Sequence, residues 1–180
     1  AGWGVLLRVG DFSFYDHVLD LLCALGGIPK RFGFDAANLS LPEYFQLARG
    51  NATQFAMEMT KWFDTNYHYI VPEFTKDQSF KILVNKPLQE YQLAKKHGFD
   101  TKPVLIGLVT YLLLGKEKEQ GFHRLELADR LLPVYLQIVE SLVSAGAKTI
   151  QIDEPYLVLD LPEGAEAVYK KVYAELRSKS

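Results

Sequence analysis

The sequence contains only one cysteine, Cys23, and four histidines among its 180 residues. A single cysteine excludes an internal disulfide and a cysteine-rich zinc site. The histidines are not spaced as H-E-x-x-H or H-x-H, arrangements in which nearby histidines share a metal ion. We therefore predict that this chain has no metal site, and that Cys23, which is surrounded by apolar residues, is a buried structural thiol.

The chain also lacks a large excess of positive or negative charge and a long apolar run. With a net charge of -2, the chain offers no basic field for a nucleic acid. No apolar run approaches the roughly 20 residues of a membrane-spanning helix, and no charged-then-apolar leader opens the sequence. The glycines form neither of the common phosphate-binding loops, and there is no serine elbow. We expect a cytoplasmic protein with neither a nucleic-acid nor a membrane partner.

What the sequence does contain is an alternation of short apolar runs with amphipathic stretches. Extended segments are predicted, in chain order, at 5–9, 61–63, 68–71, 102–107 and 148–152. Helices are predicted at 17–25, 41–48, 88–97, 125–145 and from a cap at Asp160 through about Leu176. Cap spacing places the first two helix starts at Ser13-Phe14-Tyr15-Asp16 and Ser40-Leu41-Pro42-Glu43. The expected buried faces of the last two helices are Leu131, Leu132, Tyr135, Ile138, Val139, Leu142 and Val143, then Val168, Val172 and Leu176.

This order of elements predicts an α/β fold in a single domain spanning residues 1–180. About four strands that alternate with helices are the arrangement expected of a parallel sheet. Two architectures fit this pattern. An open, doubly wound parallel sheet would be complete at this length, whereas a (βα)₈ TIM barrel typically needs about 250 residues, so this chain would form a partial barrel of about four βα units.

Residues 58–69 combine several polar side chains with four aromatic rings, in a pattern that is neither helical nor strand-like. The polar residues include Lys61, Asp64, Asn66 and His68. Such a mixture is typical of a binding or catalytic segment, although aromatic clusters also serve as packing. Both interpretations stay open from the residues alone.

Carboxylates follow two of the predicted strands. Asp11 follows the first strand, and Asp153 and Glu154 follow the last. The carboxyl ends of parallel strands are where α/β enzymes place catalytic or metal-binding groups, but carboxylates in a turn also cap nearby N–H groups. The sequence therefore allows, as one alternative, a small metal-dependent α/β enzyme that uses these three residues around a hard cation such as Mg²⁺.

Four segments together resemble the N-terminal domain of cobalamin-independent methionine synthase. They are Val9–Leu19, Glu58–Tyr69, Lys102–Gly107 and Ile150–Pro155, which occur in the same order in that family. The twelve residues EMTKWFDTNYHY, 58–69, are the most specific of the four. Arg8 and Leu108 depart from the resemblance, since we expect prolines at both positions, and they bear on the local turn geometry.

The resemblance implies a protein of two facing (βα)₈ barrels. It assigns zinc, homocysteine and methyl transfer to a C-terminal barrel that this chain lacks, and it implies that the N-terminal barrel helps hold the folate's polyglutamate tail. With the MTKWF segment it implies Lys61 as a ligand of the tail of 5-methyltetrahydropteroyltriglutamate, with Asn66 and His68 near that site. The chain is then expected to be part of a methyltransferase, with no catalytic residue or cofactor of its own, and inactive alone.

Two kinds of partner follow from a partial barrel. In the longer protein the chain would support the catalytic C-terminal barrel. The structural alternative is a self-associating half barrel with no catalytic role, because two open strand edges and an apolar inner face favour pairing with a second copy. That alternative predicts a homodimer through the open barrel edges.

Overall fold

The computed structural model describes residues 6–10 and 12–178. The strands are β1 (Leu7–Val9), β2 (Met59–Lys61), β3 (His68–Ile70), β4 (Glu73–Phe74), β5 (Thr101–Ile106), β6 (Lys116–Glu117) and β7 (Gln151–Asp153). The helices are α1 (His17–Ala24), α2 (Leu41–Arg49), α3 (Lys86–Lys96), α4 (Leu108–Leu114), α5 (Ala128–Ser144) and α6 (Ala165–Arg177). Short 3₁₀ turns occupy Lys30–Phe32, Ala36–Asn38, Arg124–Leu127 and Pro155–Val158.

A parallel sheet of β1, β5 and β7, in that order, confirms the predicted α/β class. Arg8 lies opposite Lys102 on the neighbouring strand, and Val104 lies opposite Gln151. β1 falls within the segment predicted at 5–9, of which Val5 lies outside the described residues, while β5 begins one residue before the segment 102–107 and β7 ends one residue after the segment 148–152. The spatial order of these strands follows their order in the chain.

The other two predicted extended segments do not join this sheet. β2 and β3 pair with each other in an antiparallel hairpin, and β4 pairs in parallel with β6 in a separate small sheet. The expectation of about four parallel strands therefore differs from the structure in this region. Because a short turn joins β2 to β3, the chain has no room for the crossover that parallel pairing requires.

Helix α4, which the sequence did not reveal, lies at the centre of the core. All of its residues, Leu108 through Leu114, are buried. A helix that is covered on every side has apolar residues on every side, so its sequence lacks the amphipathic period by which helices are recognised. α4 packs against α5 and α6.

α1 begins at His17 as predicted but has a different capping residue, and α6 begins later than its predicted cap. α1 is capped by Asp16 itself, whose side chain accepts hydrogen bonds from Val18 and Leu19, while Ser13 donates to Asp20. α6 begins after Gly164, which has a φ of 80°, and not at the predicted Asp160 cap. That conformation is easily adopted by glycine, since it has no Cβ.

The predicted capping box at the start of α2 is confirmed. The Ser40 hydroxyl accepts from the Glu43 backbone N–H, and the Glu43 carboxylate accepts from the Ser40 N–H at 2.8 Å. The expected buried faces also hold, except that Val143 is exposed and Val168 is half-buried. Within residues 6–10 and 12–178, every helix falls short of the length and apolarity that a membrane crossing requires.

Candidate functional site

The three residues singled out for the polyglutamate tail lie together on one hairpin, residues 59–70, which we call the Lys61 hairpin. Lys61 at the end of β2 pairs directly with His68 at the start of β3. Asn66 lies in the connecting turn, where its backbone oxygen accepts a hydrogen bond from His68 Nδ1 at 2.9 Å. All three side chains are exposed.

The turn of the hairpin has a defined backbone. The Trp62 N–H donates to the Tyr67 carbonyl at 2.7 Å, and the Thr65 hydroxyl donates to the Trp62 carbonyl at 2.6 Å. Phe63 has a φ of 50°, the one positive value among the non-glycine residues that the structure describes. These contacts hold the hairpin backbone while the Lys61 side chain extends into solvent.

The aromatic residues attach this hairpin to the rest of the protein. The Trp62 ring makes edge-to-face contacts with His17 at a centroid distance of 4.5 Å and with Tyr69 at 5.8 Å. Phe63 meets Tyr156, which follows β7, at 5.9 Å. The Tyr69 hydroxyl donates to a backbone carbonyl at the end of α4. The aromatic part of the segment is therefore packing, and its polar part is left facing solvent.

A buried carboxylate, Asp16, joins the hairpin to α1. Its Oδ2 accepts from the Leu19 N–H at 2.8 Å and from the Ile70 N–H at 2.9 Å. Its Oδ1 accepts from the Val18 N–H at 3.1 Å and from the Tyr67 hydroxyl at 3.2 Å. Asp16 has no exposed surface, and burial raises the pKa of this carboxyl against the lowering effect of its N–H donors. Sequence reasoning missed this residue, although an Asp directly before an apolar helical stretch is a cap signal.

A cavity of about 320 Å³ lies beside the hairpin, where β1, β5 and β7 end. Its wall is mostly apolar, with Trp62 on the hairpin side. Among its charged residues, Lys86 is already paired with Asp20 at 2.6 Å, and Arg8 and Asp153 lie on the strands. The location is the usual one for ligands in α/β proteins, at the carboxyl ends of parallel strands.

Glu154 has a structural role that removes it from this cavity. Its Oε2 accepts from the Thr110 N–H in the first turn of α4 at 2.8 Å, and from the Tyr169 hydroxyl at 3.3 Å. Its Oε1 accepts from the Tyr173 hydroxyl at 3.0 Å. The carboxylate therefore caps one helix and anchors another, which is the turn-capping alternative that the sequence allowed.

The comparison with protein families decides what this chain is related to. Residues 4–180 match the family described as the cobalamin-independent synthase, N-terminal domain. The chain belongs to this family. The match confirms the resemblance that Glu58–Tyr69 and the three other segments carry.

Members of the synthase family that resemble the chain include three bacterial proteins named 5-methyltetrahydropteroyltriglutamate–homocysteine methyltransferase. The protein of Pasteurella multocida (strain Pm70) is 58% identical over 173 residues, which are 96% of this chain and 23% of that protein. That of Haemophilus influenzae (strain PittEE) is 58% identical over 170 residues, covering 94% and 22%. That of Neisseria meningitidis serogroup C is 57% identical over 171 residues, covering 94% and 23%. The chain thus spans less than a quarter of the length of these relatives.

The residues of this synthase domain do not fit a zinc ion. Within residues 6–10 and 12–178, no three His, Cys, Asp or Glu side chains form a group that could hold a metal. Cys23 is half-buried against the core, and burial raises the pKa of its thiol to about 12, which disfavours the thiolate that binds metals. Of the three carboxylates proposed for a magnesium site, the structure leaves only Asp153 as a candidate ligand, and its Oδ1 accepts from Gln151 Nε2 at 2.8 Å. Glu154 is turned toward α4, and Asp11 lies outside the described residues.

His17 makes the stability of this region sensitive to pH. Burial lowers the pKa of His17 below its usual value of 6.5, and Lys86 adds to this effect, while Asp16, Asp20 and Asp153 oppose it. A histidine with a lowered pKa binds its proton more readily in the unfolded chain. Its contribution to stability is therefore complete above pH 6.5 and is lost as the pH falls below that value.

We expect His17→Phe to weaken this pH dependence. The free energy of unfolding should fall less between about pH 7.5 and about pH 5.5 in the variant than in the wild type, by at most about 1.4 kcal/mol per pH unit for one proton. Denaturant titrations across this range measure the difference. Comparison between variants is needed because the raised pKa of Asp16 acts in the opposite direction. His97→Phe, at the exposed end of α3, should keep the wild-type slope, and parallel curves for His17→Phe and wild type would contradict the prediction.

Proposed function

We propose that the chain is part of a methyltransferase that moves the methyl group of 5-methyltetrahydropteroyltri-L-glutamate to homocysteine, forming methionine in the cytoplasm. The observation that carries this proposal is the family match over residues 4–180, together with the names of the relatives. The chain spans 22 to 23% of those relatives, so zinc, homocysteine and the methyl transfer are assigned to the C-terminal barrel of the longer protein. This portion supports that barrel and is inactive alone.

Within that protein, the role we propose for this portion is to bind the polyglutamate tail of the folate through Lys61. Lys61 is exposed and, among the residues that the structure describes, makes no ion pair, unlike the nearby Lys116, which pairs with Glu58 at 2.7 Å. A flexible ammonium group can follow successive carboxylates of a tail as a point charge, without a rigid geometry. Asn66 and His68 add exposed hydrogen-bonding groups beside it.

Calorimetric titration of the full chain with triglutamyl and monoglutamyl 5-methyltetrahydrofolate tests this role. The wild type should prefer the triglutamyl form, and Lys61→Ala should reduce that preference about fivefold. This factor corresponds to about 1 kcal/mol, the contribution expected of a solvent-accessible ion pair. Binding of the monoglutamyl form should change little, because it lacks the extended tail.

Lys148→Ala is the matched control for Lys61→Ala. Lys148 is also exposed but precedes β7, at the opposite end of the parallel sheet from the cavity. Its removal lowers the net charge by the same amount and should leave the preference for the triglutamyl form unchanged. Equal binding of both folates by wild type, Lys61→Ala and Lys148→Ala would reject the role of Lys61.

The fold that we propose for this single domain, residues 1–180, is a partial (βα)₈ barrel. Support comes from the order β1-β5-β7, in which the order of the strands across the sheet is also their order along the chain. An open doubly wound sheet instead reverses its strand order at a switch point. Among the described strands, β1 and β7 each have one open edge, so a homodimer through these edges stays the alternative, which sedimentation velocity distinguishes from a monomer.

A further inference from the structure

We propose that Asp16 is a positioning residue for the folate tail: by holding β3 against α1, its carboxylate sets the location of Lys61 and thereby the preference for long-tailed folates. This inference rests on the proposed function of Lys61. Asp16 has no exposed surface and does not touch the ligand itself, so its effect has to pass through the hairpin.

The carboxylate contacts the hairpin at both ends of β3. The Tyr67 hydroxyl, immediately before the strand, donates to Oδ1, and the Ile70 N–H, at its last residue, donates to Oδ2. His68, the partner of Lys61 across the hairpin, lies between these two contacts. A shift of β3 relative to α1 would therefore carry the backbone of Lys61 with it.

A second set of contacts joins β2 to the start of α1, next to Asp16. Trp62, which follows Lys61, packs its ring on His17, which follows Asp16. The His17 Nδ1 also lies 3.2 Å from the Tyr67 hydroxyl. The residue that follows Asp16 and the residue that follows Lys61 are thus in direct contact. On the same two segments, the Tyr15 hydroxyl donates to the Met59 sulfur, although 44 positions separate these residues in the chain.

An aspartate meets the requirements of this position because all four of its contacts are donors. A carboxylate accepts at both oxygens, whereas an asparagine would present an amino group to two donors. The oxygens are divided so that each takes one bond from α1 and one from the hairpin. Neither oxygen serves the helix or the hairpin alone, so the two roles can be separated only by a shorter side chain that still caps the helix.

Asp16→Ser makes this separation. Serine is a good N-cap and can satisfy the N–H groups of α1, but its side chain is too short to reach Ile70 and Tyr67 as well. We expect the triglutamyl preference to fall several-fold, by no more than in Lys61→Ala, with monoglutamyl affinity unchanged. The Asp16→Ser, Lys61→Ala double variant should match Lys61→Ala alone, because a residue that acts only through Lys61 adds nothing once Lys61 is removed.

A merely structural role predicts a different result. Loss of folding would lower the affinity for both folates alike and would add to the effect of Lys61→Ala. Amide hydrogen exchange reports on the contact directly, since the Ile70 N–H should exchange faster in Asp16→Ser while the buried amides of α4 keep their protection.

Tyr67→Phe is the second variant, and it retains the carboxylate and the helix cap. It removes one of the two hairpin contacts and should reduce the triglutamyl preference by about half as much, on a logarithmic scale, as Asp16→Ser. It decides the question if Asp16→Ser does not fold. The inference is overturned if the folded variants keep the full preference while Lys61→Ala loses it. If Lys61→Ala also keeps it, the proposed function fails and this inference fails with it.

Discussion

Gly107→Ala should lower the free energy of unfolding by more than about 3 kcal/mol, because it places a methyl group where the half-buried Glu154 carboxylate already lies. A Cβ on Gly107 would overlap the Cδ and Oε1 of Glu154. Glu154 cannot move away without losing its bonds to the Thr110 N–H and to the Tyr173 hydroxyl. Thr110 is fully buried, so its N–H would then be left without a partner. Denaturant titration measures the loss.

Backbone conformation does not explain such a loss. Gly107 has a φ of -65°, which any residue adopts, so the cost comes from the clash alone. Gly121→Ala is the matched control, since Gly121 has a φ of 80° and no atom within 4 Å of the added methyl. It should cost about 1 kcal/mol from the left-handed backbone.

A double variant tests whether Glu154 is the cause. Gly107→Ala combined with Glu154→Ala should be little less stable than Glu154→Ala alone, because the side chain that clashes is gone. A cost for Gly107→Ala no greater than that for Gly121→Ala would contradict the prediction. So would a Gly107→Ala cost that persists undiminished in the double variant.

Arg31→Ala should lower the free energy of unfolding by about 3 to 5 kcal/mol, because it leaves a buried carboxylate without its partner. The Arg31 guanidinium donates to both oxygens of Glu73, at 2.8 and 3.2 Å, and to the Phe55 carbonyl at 2.6 Å. It also lies between the rings of Phe32 and Phe55, at 4.3 Å from each centroid. Glu73 is only 8% exposed, so its carboxylate depends on Arg31 and has little contact with water in the folded protein.

The preceding residue supplies the control for Arg31→Ala. Lys30 pairs with Asp77 at 3.3 Å, but the two side chains are 87% and 69% exposed. Lys30→Ala removes the same charge and should change stability by less than about 0.5 kcal/mol. Arg31→Lys, which keeps the charge without the two-pronged geometry, should fall between the two. Similar small losses for Arg31→Ala and Lys30→Ala in denaturant titrations would contradict the expected difference.

Local signals in the sequence were reliable where a segment determines its own structure. The continuous apolar run 102–107 predicts β5, and the Ser40 and Glu43 spacing predicts the start of α2 because the two residues bond each other across one turn. The same reasoning failed at α6, where Asp160 has the right spacing but the chain turns at Gly164 instead. It failed for α4 because a fully buried helix has no polar face to give it a period.

The candidate site shows the same division. The family resemblance carried by residues 58–69 was enough to select Lys61, Asn66 and His68, which the structure brings together on one hairpin. The position of Lys61 opposite His68 depends on the register of β2 and β3, and a one-residue slip would turn the side chains of a strand to the other face. Glu154 could be taken for an ordinary turn carboxylate and Asp16 for the end of a cap sequence, and nothing near them in the chain indicates the distant donors that they meet.

By itself, the sequence determined the α/β class, the approximate positions of the helices other than α4, the family and the segment that carries Lys61. All of these depend on residues that are close in the chain, or on a pattern of residue types in order. Only the tertiary structure decided which groups Asp16 and Glu154 hold, since the Ile70 N–H is 54 residues from Asp16 and the Thr110 N–H is 44 residues from Glu154. A carboxylate that is wholly or partly buried must find its donors wherever packing brings them, and sequence distance carries no information about that choice.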